Sequence, residues 1–197
     1  MRIGMVRLFN FLTLVSACLL PCACAYVPLS TMVKMYSFDE RDFAELDPQL
    51  IKVRITVPPD FEVSIEDSLM DVRVEASGQS FGGEFKLTDQ QRPGDGIAGL
   101  LGKQETKDST IYTLRLSDES ARQFARLQGA LSGRTVERSK INISAVLKSA
   151  PCGAKEVIVH VDLSPRPAEG FIPIVDGARL QIDDGSSGRP CTPSASR

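Results

Sequence analysis

Apolar and polar residues take turns along most of this chain. In 51–57, Ile51, Val53, Ile55 and Val57 fall on one side and Lys52, Arg54 and Thr56 on the other. The same period of two runs through 70–76, 81–87, 112–116, 141–147, 156–163 and 178–182. Successive side chains of a strand point to opposite faces, so each segment reads as a strand with one apolar and one wet face. Such strands belong to antiparallel sheets covered on one side. Turn signals separate them at 58–60, 77–79, 151–153 and 175–177. About seven to nine short strands at this spacing predict an antiparallel β-sandwich, immunoglobulin-like in architecture.

One segment breaks the period. In 117–132, Ala121, Phe124, Leu127 and Leu131 recur at helical spacing. Ser117 stands where an N-cap oxygen would satisfy free backbone N–H groups, and Asp118 and Glu119 suit the positive end of the helix dipole. Gly133 supplies a stop. A single helix over about 117–132 is expected to cover an end or edge of the sheets. The expected organisation is a leader over 1–25, an irregular lead-in over 26–50, the β-domain over 51–182 and a tail over 183–197. Within the lead-in, 30–38 reads as a further strand and 39–51 as a short helical turn or loop.

The first 25 residues set the cell address. Arg2 and Arg7 precede an apolar run over 8–20, and Pro21 and small residues follow. A spanning helix needs about 20 apolar residues, so this run fits a secretory signal. Ala23-Cys24-Ala25 marks release after Ala25 as one processing site, and a second candidate site lies at Cys18. Removing 1–25 takes away two arginines and no acid, so 21 basic residues face 25 acidic ones and the net charge moves from −2 to −4. That balance gives no basic face for nucleic acid.

Cysteine usage suits an oxidising compartment. Of five cysteines, Cys18, Cys22 and Cys24 lie in the leader, leaving Cys152 and Cys191. These two are expected to pair, pinning the tail; a reactive thiol at Cys152 is the alternative. The spacing matches no C-x-x-C redox or zinc pattern.

The run 92–104, RPGDGIAGLLGKQ, invites a nucleotide-binding reading. A P-loop needs G-x-x-x-x-G-K-[ST]; here Gln104 follows Gly102-Lys103 and Ile97 stands at the first glycine position. Gly94-x-Gly96-x-x-Gly99 lacks the strand–helix–strand setting that gives such glycines a pyrophosphate to approach. The run therefore reads as a long hairpin loop. Its Ile97, Leu100 and Leu101 either fold back over an open end of the sandwich or project toward a partner.

Other chemistry is sparse. His160 is the only histidine and falls on a wet face, so a surface histidine is the expectation and a general base or metal ligand the alternative. Asp183-Asp184-Gly185 lacks the ligand spacing of an EF-hand. Glu66-Asp67 and Asp39-Glu40 read as solvated acids. Arg134, Arg138 and Lys140 read as a solvated edge, with an anion site as the alternative. Asn142-Ile143-Ser144 matches a glycosylation sequon inside an expected strand. No catalytic, cofactor or metal residues are assigned.

Val15-Ser16-Ala17-Cys18 resembles a bacterial lipobox, and a β-domain follows it. In those two respects the chain resembles uncharacterised bacterial envelope lipoproteins. The resemblance implies a bacterial source, a lipid anchor and residence in the periplasm or at the outer-membrane surface. The expected function is a non-enzymatic envelope protein, a protein-binding or structural module with an unidentified envelope partner. The alternatives are a carrier of a small apolar ligand or lipid between the sheets, and a hydrolase with a dispersed site.

Overall fold

The structure, a computed structural model, describes residues 40–90, 101–182 and 191–192. The expected leader, Cys18, the strand expected over 30–38 and most of the tail lie outside the described residues. Within them the chain is mainly β. Helix α1 (Glu40–Glu45) precedes strands β1 (Lys52–Val57), β2 (Glu62–Ala76), β3 (Gln79–Thr88), β4 (Gly102–Glu105) and β5 (Thr110–Leu116). Helix α2 (Asp118–Leu131) follows, then β6 (Val136–Pro151), β7 (Glu156–Ser164), β8 (Ile172–Gln181) and β9 (Cys191–Thr192). Glu40–Glu45 is helical where the sequence admitted a short helical turn or a loop.

The strands form a nine-stranded sheet ordered β8-β7-β1-β5-β3-β2-β6-β9, with β4 paired to β5. All pairs are antiparallel except β6 with β9. The sheet curls into a half-barrel, and the immunoglobulin-like stack of two sheets expected above is not confirmed. The joint is β3, which pairs along most of its length with β2 and at Leu87 and Thr88 with β5. One curled sheet and two stacked sheets both give strands a single apolar face, so alternation cannot separate them.

Apolar side chains line the concave face: Val53 and Ile55 of β1, Met70, Val72 and Val74 of β2, Phe85 and Leu87 of β3, and Leu114 and Leu116 of β5 are all buried. Helix α2 packs its stripe against this face. Phe124 sits with its ring centroid 5.2 Å from Phe43 and 5.3 Å from Phe85, tilted against both. The Ser117 side chain accepts from the Ser120 N–H, as an N-cap does, and Gly133 follows the helix at φ +75°. Gln128 ties α1 to α2, its Nε2 donating to the carbonyls of Phe43 and Leu46 at 2.8 Å each. Arg166 grips α1 from the other side, donating to Asp42 Oδ1 at 3.0 Å and to Glu169 Oε1 at 2.9 Å.

Two strands are much longer than the alternating segments that mark them. β2 takes in Glu62–Leu69 and β6 reaches from Val136 to Pro151. Register shifts between Ser64 and Leu69 break the period there. A bulge bends a strand and resets which face its residues occupy, so a strict period-two count ends at it.

Candidate functional site

The glycine-rich run lies where one arm of a hairpin is interrupted. β3 and β4 pair with β5 end to end: Leu87 faces Leu116, Thr88 faces Arg115, and Gly102 faces Thr113. Three steps along β5, from Leu116 to Thr113, correspond to fifteen along the other arm, from Leu87 to Gly102. Twelve residues are therefore inserted into what is otherwise one strand. The hairpin turn itself is at Thr106–Ser109, where Thr106 N–H donates to the Ser109 carbonyl at 2.8 Å. The run was expected to form the hairpin loop; the hairpin turn lies instead at Thr106–Ser109, Gly102–Gln104 already belong to β4, and 91–100 lie outside the described residues.

The root of the excursion is gripped. Arg115 is buried on the convex side of β5, its Nε donating to the Gln90 carbonyl at 2.6 Å. Its Nη1 donates to the Leu116 carbonyl at 2.8 Å and to Asp118 Oδ1 at 3.1 Å. One guanidinium thus joins the departing chain, β5 and the first turn of α2. Where the chain returns, Gly102 adopts φ +99° beside the Asp89 side chain, a backbone that glycine takes without strain. Lys103 then lies 3.2 Å from Glu62 Oε1 and 2.8 Å from Glu105 Oε1. The Glu105 hydrogen bond holds the Lys103 ammonium above its usual pKa, and the Lys103 hydrogen bond holds Glu62 below the usual carboxylate value. Of the expected contact residues, Leu101 is half-buried at this root, while Ile97 and Leu100 lie outside the described residues.

His160 has companions that its sequence neighbourhood does not reveal. Opposite it, β8 bulges: Val159 pairs with Ala178 and Val161 with Val175, so Asp176 and Gly177 together face one residue. Gly177, at φ +69°, makes the bulge, and a Cβ there would meet His160 Cε1 at 3.7 Å. Asp176 Oδ1 lies 2.9 Å from His160 Nδ1. Asp162, on the same face of β7, lies 3.8 Å from Arg54, whose guanidinium stacks 3.6 Å over the Phe171 ring. Burial holds the Asp162 carboxyl above its usual pKa, with Arg54 and His160 pulling it down and Asp176 pushing it up. The arrangement positions a histidine tautomer; His160 and Asp176 both remain substantially exposed. Among the described residues no group of three or more His, Cys, Asp or Glu is placed to hold a metal ion.

The remaining candidates disperse. Ser64 Oγ donates to Asp67 Oδ2 at 2.7 Å at an exposed bend, and Glu66 is exposed. Arg134 donates to the Ala130 carbonyl at the end of α2 and stacks 4.9 Å over Phe81, and Arg138 lies 3.8 Å from Glu75. Lys140 instead faces Arg73 across the β2–β6 pair. Asn142 is half-buried and donates to Asp71 Oδ2 at 3.3 Å. The parallel pairing of β9 sets Cys191 opposite Ala150, two residues before Cys152. Asp183-Asp184-Gly185 lie outside the described residues. An open cleft of about 230 Å³ lies between α1 and the end of α2, lined in part by Arg41, Phe43, Leu131 and Val136. Among the described residues no helix is long and apolar enough to cross a membrane.

No family model, curated protein or solved structure matches this chain.

Proposed function

We propose that this chain is a non-enzymatic exported protein of a bacterial envelope that binds another protein through sheet edges and through the excursion between β3 and β4. The observation that carries the reading is the grip of Arg115 on the Gln90 carbonyl. A buried guanidinium is spent on holding the root of an inserted, glycine-rich stretch containing Ile97, Leu100 and Leu101. Binding residues concentrate on loops positioned by a rigid scaffold. Burying a leucine-sized side chain contributes about 1.5–3 kcal/mol, so Ile97 and Leu100, with the exposed part of the half-buried Leu101, suffice for a docking surface.

The envelope assignment rests on the leader over 1–25, with lipidation at Cys18 tying the domain to a membrane surface. A Cys152–Cys191 bridge belongs to the same reading. The β6–β9 register and the bonded state of the Cys152 sulfur support it. The carrier reading has one feature in its favour, the cleft beside Phe43 and Leu131, which lies between the helices and not within the sheet.

The test is a pull-down from envelope extract using the mature protein and its I97S/L100S/L101S variant. A stoichiometric partner recovered by the first and lost by the second supports the proposal. Equal recovery removes the loop from the binding site, and co-purified lipid without protein supports the carrier instead. Intact-mass measurement of the same preparation reports acylation at Cys18.

A further inference from the structure

We propose that the edge of β6 binds, by strand addition, an extended segment of another protein in which acidic side chains alternate with apolar ones. The inference rests on the protein-binding reading above and names the site and the chemistry of the partner.

The two ends of the strand path differ. β8 is a blunted edge: Pro173 lacks an N–H, and the bulge at Asp176–Gly177 breaks its register. β6 keeps an unbroken register with β2 from Arg138 to Ser144 and has no proline before Pro151. In the strand order only β9 lies beyond β6, and it covers Ala150 and Pro151 alone. The edge from Val136 to Ser149 therefore carries no further strand among the described residues. β9 shows that this side of the strand accepts an extended chain.

Charge selects the occupant. Along the convex face, Glu75 opposes Arg138, Asp71 opposes Asn142, and Arg73 opposes Lys140. Asp71 lies 3.2 Å from Arg73, and Glu75 lies 3.8 Å from Arg138. No carboxylate among the described residues is within ion-pair distance of Lys140. Like charges directly opposite in a sheet are destabilising. A carboxylate on a strand added beyond β6 would stand beside Lys140 on its open side and offset Arg73. On the concave face, Ile141 and Ile143 oppose the buried Val72 and Met70 but are themselves only half-buried. An apolar residue one position from the carboxylate would cover them, because side chains alternate faces. The two demands together specify alternating acidic and apolar positions.

The probe is a short synthetic peptide alternating valine and glutamate. One control carries lysine for glutamate, and another is N-methylated on alternate backbone amides. The acidic peptide should bind the full chain and slow amide exchange over Arg138–Ser144. Lys140→Glu should weaken that binding about tenfold and make the lysine peptide the better ligand. The exchange of preference shows that the variant is folded. Unchanged binding of the acidic peptide to Lys140→Glu would overturn the proposal, as would equal binding of the N-methylated form. Tighter binding by Lys140→Ala would also overturn it, by showing that the lysine guards the edge against pairing. In the pull-down, a partner recovered equally by wild type and Lys140→Glu removes this inference and leaves the protein-binding reading standing. Recovery of no protein by the wild type removes that reading, while the peptide result still decides whether the edge accepts a strand.

Discussion

Arg115 Nε donates to the Gln90 carbonyl at 2.6 Å from a side chain that is only 5 % exposed. The same guanidinium reaches Asp118 at the start of α2. Replacing Arg115 with methionine keeps much of the volume and removes every donor. The buried Leu116 carbonyl loses a partner, and the excursion loses its anchor. Breaking hydrogen bonds to a buried charged group costs about 1.5–3 kcal/mol each before compensation by water. Arg115→Met should lower stability by about 2–4 kcal/mol, read as a denaturant midpoint with unchanged m-value. Amide exchange around Asp89 and Gln90 should accelerate more than exchange in β7. Uniform acceleration across the sheet would show that Arg115 serves general stability and not the root.

Phe124 is 1 % exposed and touches aromatic rings from both α1 and β3. Phe124→Ala should cost about 3–5 kcal/mol, because the cavity it leaves is walled by both α1 and β3. Gly129 lies on the opposite, exposed face of α2, where an added Cβ meets nothing within 4 Å. Gly129→Ala should stabilise the protein by about 0.5–1 kcal/mol through helix propensity. Thermal melts of the two variants should therefore shift in opposite directions.

Gly82 and Gly83 are adjacent in β3 and differ in what they tolerate. A Cβ on Gly82 would run into the Val72 carbonyl oxygen, and backbone atoms of β2 cannot step aside without opening the pair. On Gly83 the nearest atom is Phe85 Cζ at 3.3 Å, the end of a side chain that can tilt. Gly82→Ala should cost about 1–3 kcal/mol, and Gly83→Ala less than about 1 kcal/mol. Equal costs in chemical denaturation would refute this account of the β2–β3 contact.

The alternation that marks β1 and β7 was legible because each buries one face along nearly its whole length, and in β3 it was legible from Phe85 and Leu87, the two side chains that strand buries. The Ser117 cap and the stripe from Ala121 to Leu131 were legible because both signals are local. What stayed hidden depends on pairing. Nothing in the glycine run shows that β3 and β4 share one neighbour, because that fact lies in the register of β5. Nothing near His160 points to Asp176, because a bulge sixteen residues downstream brings it across. Arg115 occupies a polar position by alternation, and its burial follows from the chain that covers it. The one signal available in the sequence was Asp176-Gly177, which reads as a turn between strands; the chain instead stays paired through it within β8, and the glycine makes a bulge.

Two carboxylates should bend the acid side of the stability profile in opposite senses. Glu62 is held below its usual pKa by Lys103, so its contribution is present above the usual glutamate value and is lost as pH falls through the lowered one. Asp162 is held above its usual pKa by burial, so its charge costs stability near neutrality. That cost disappears as pH falls through the raised value, before the Glu62 contribution is lost. Lys103, held high by Glu105, contributes below the usual lysine value and loses that contribution as pH rises through its raised one. The Glu62–Lys103 pair is partly exposed and is worth about 0.2–1 kcal/mol. In melting temperature against pH, Glu62→Gln should flatten the final acid decline, and Asp162→Asn should remove the rise that precedes it. A Glu62→Gln profile that tracks wild type throughout would show that the pair contributes nothing.

The last expectation concerns the C-terminal segment. Ile182 N–H donates to the Lys155 carbonyl at 2.8 Å, and Cys191 then pairs with Ala150. A Cys152–Cys191 bridge would fasten the chain beyond β8 onto the end of β6, with β7 and β8 inside the closed loop. Cross-links across loops of this kind typically contribute about 2–4 kcal/mol. Cys191→Ser, or reduction of the native protein, should lower stability by that amount and free residues after Ile182 for carboxypeptidase. The strands themselves should survive, since β7 and β8 are held to β1 by their own ladders. Far-ultraviolet circular dichroism unchanged by reduction, together with faster trimming of the tail, is the expected pair of results. If trimming were equally fast with and without reductant, the two cysteines would not be joined.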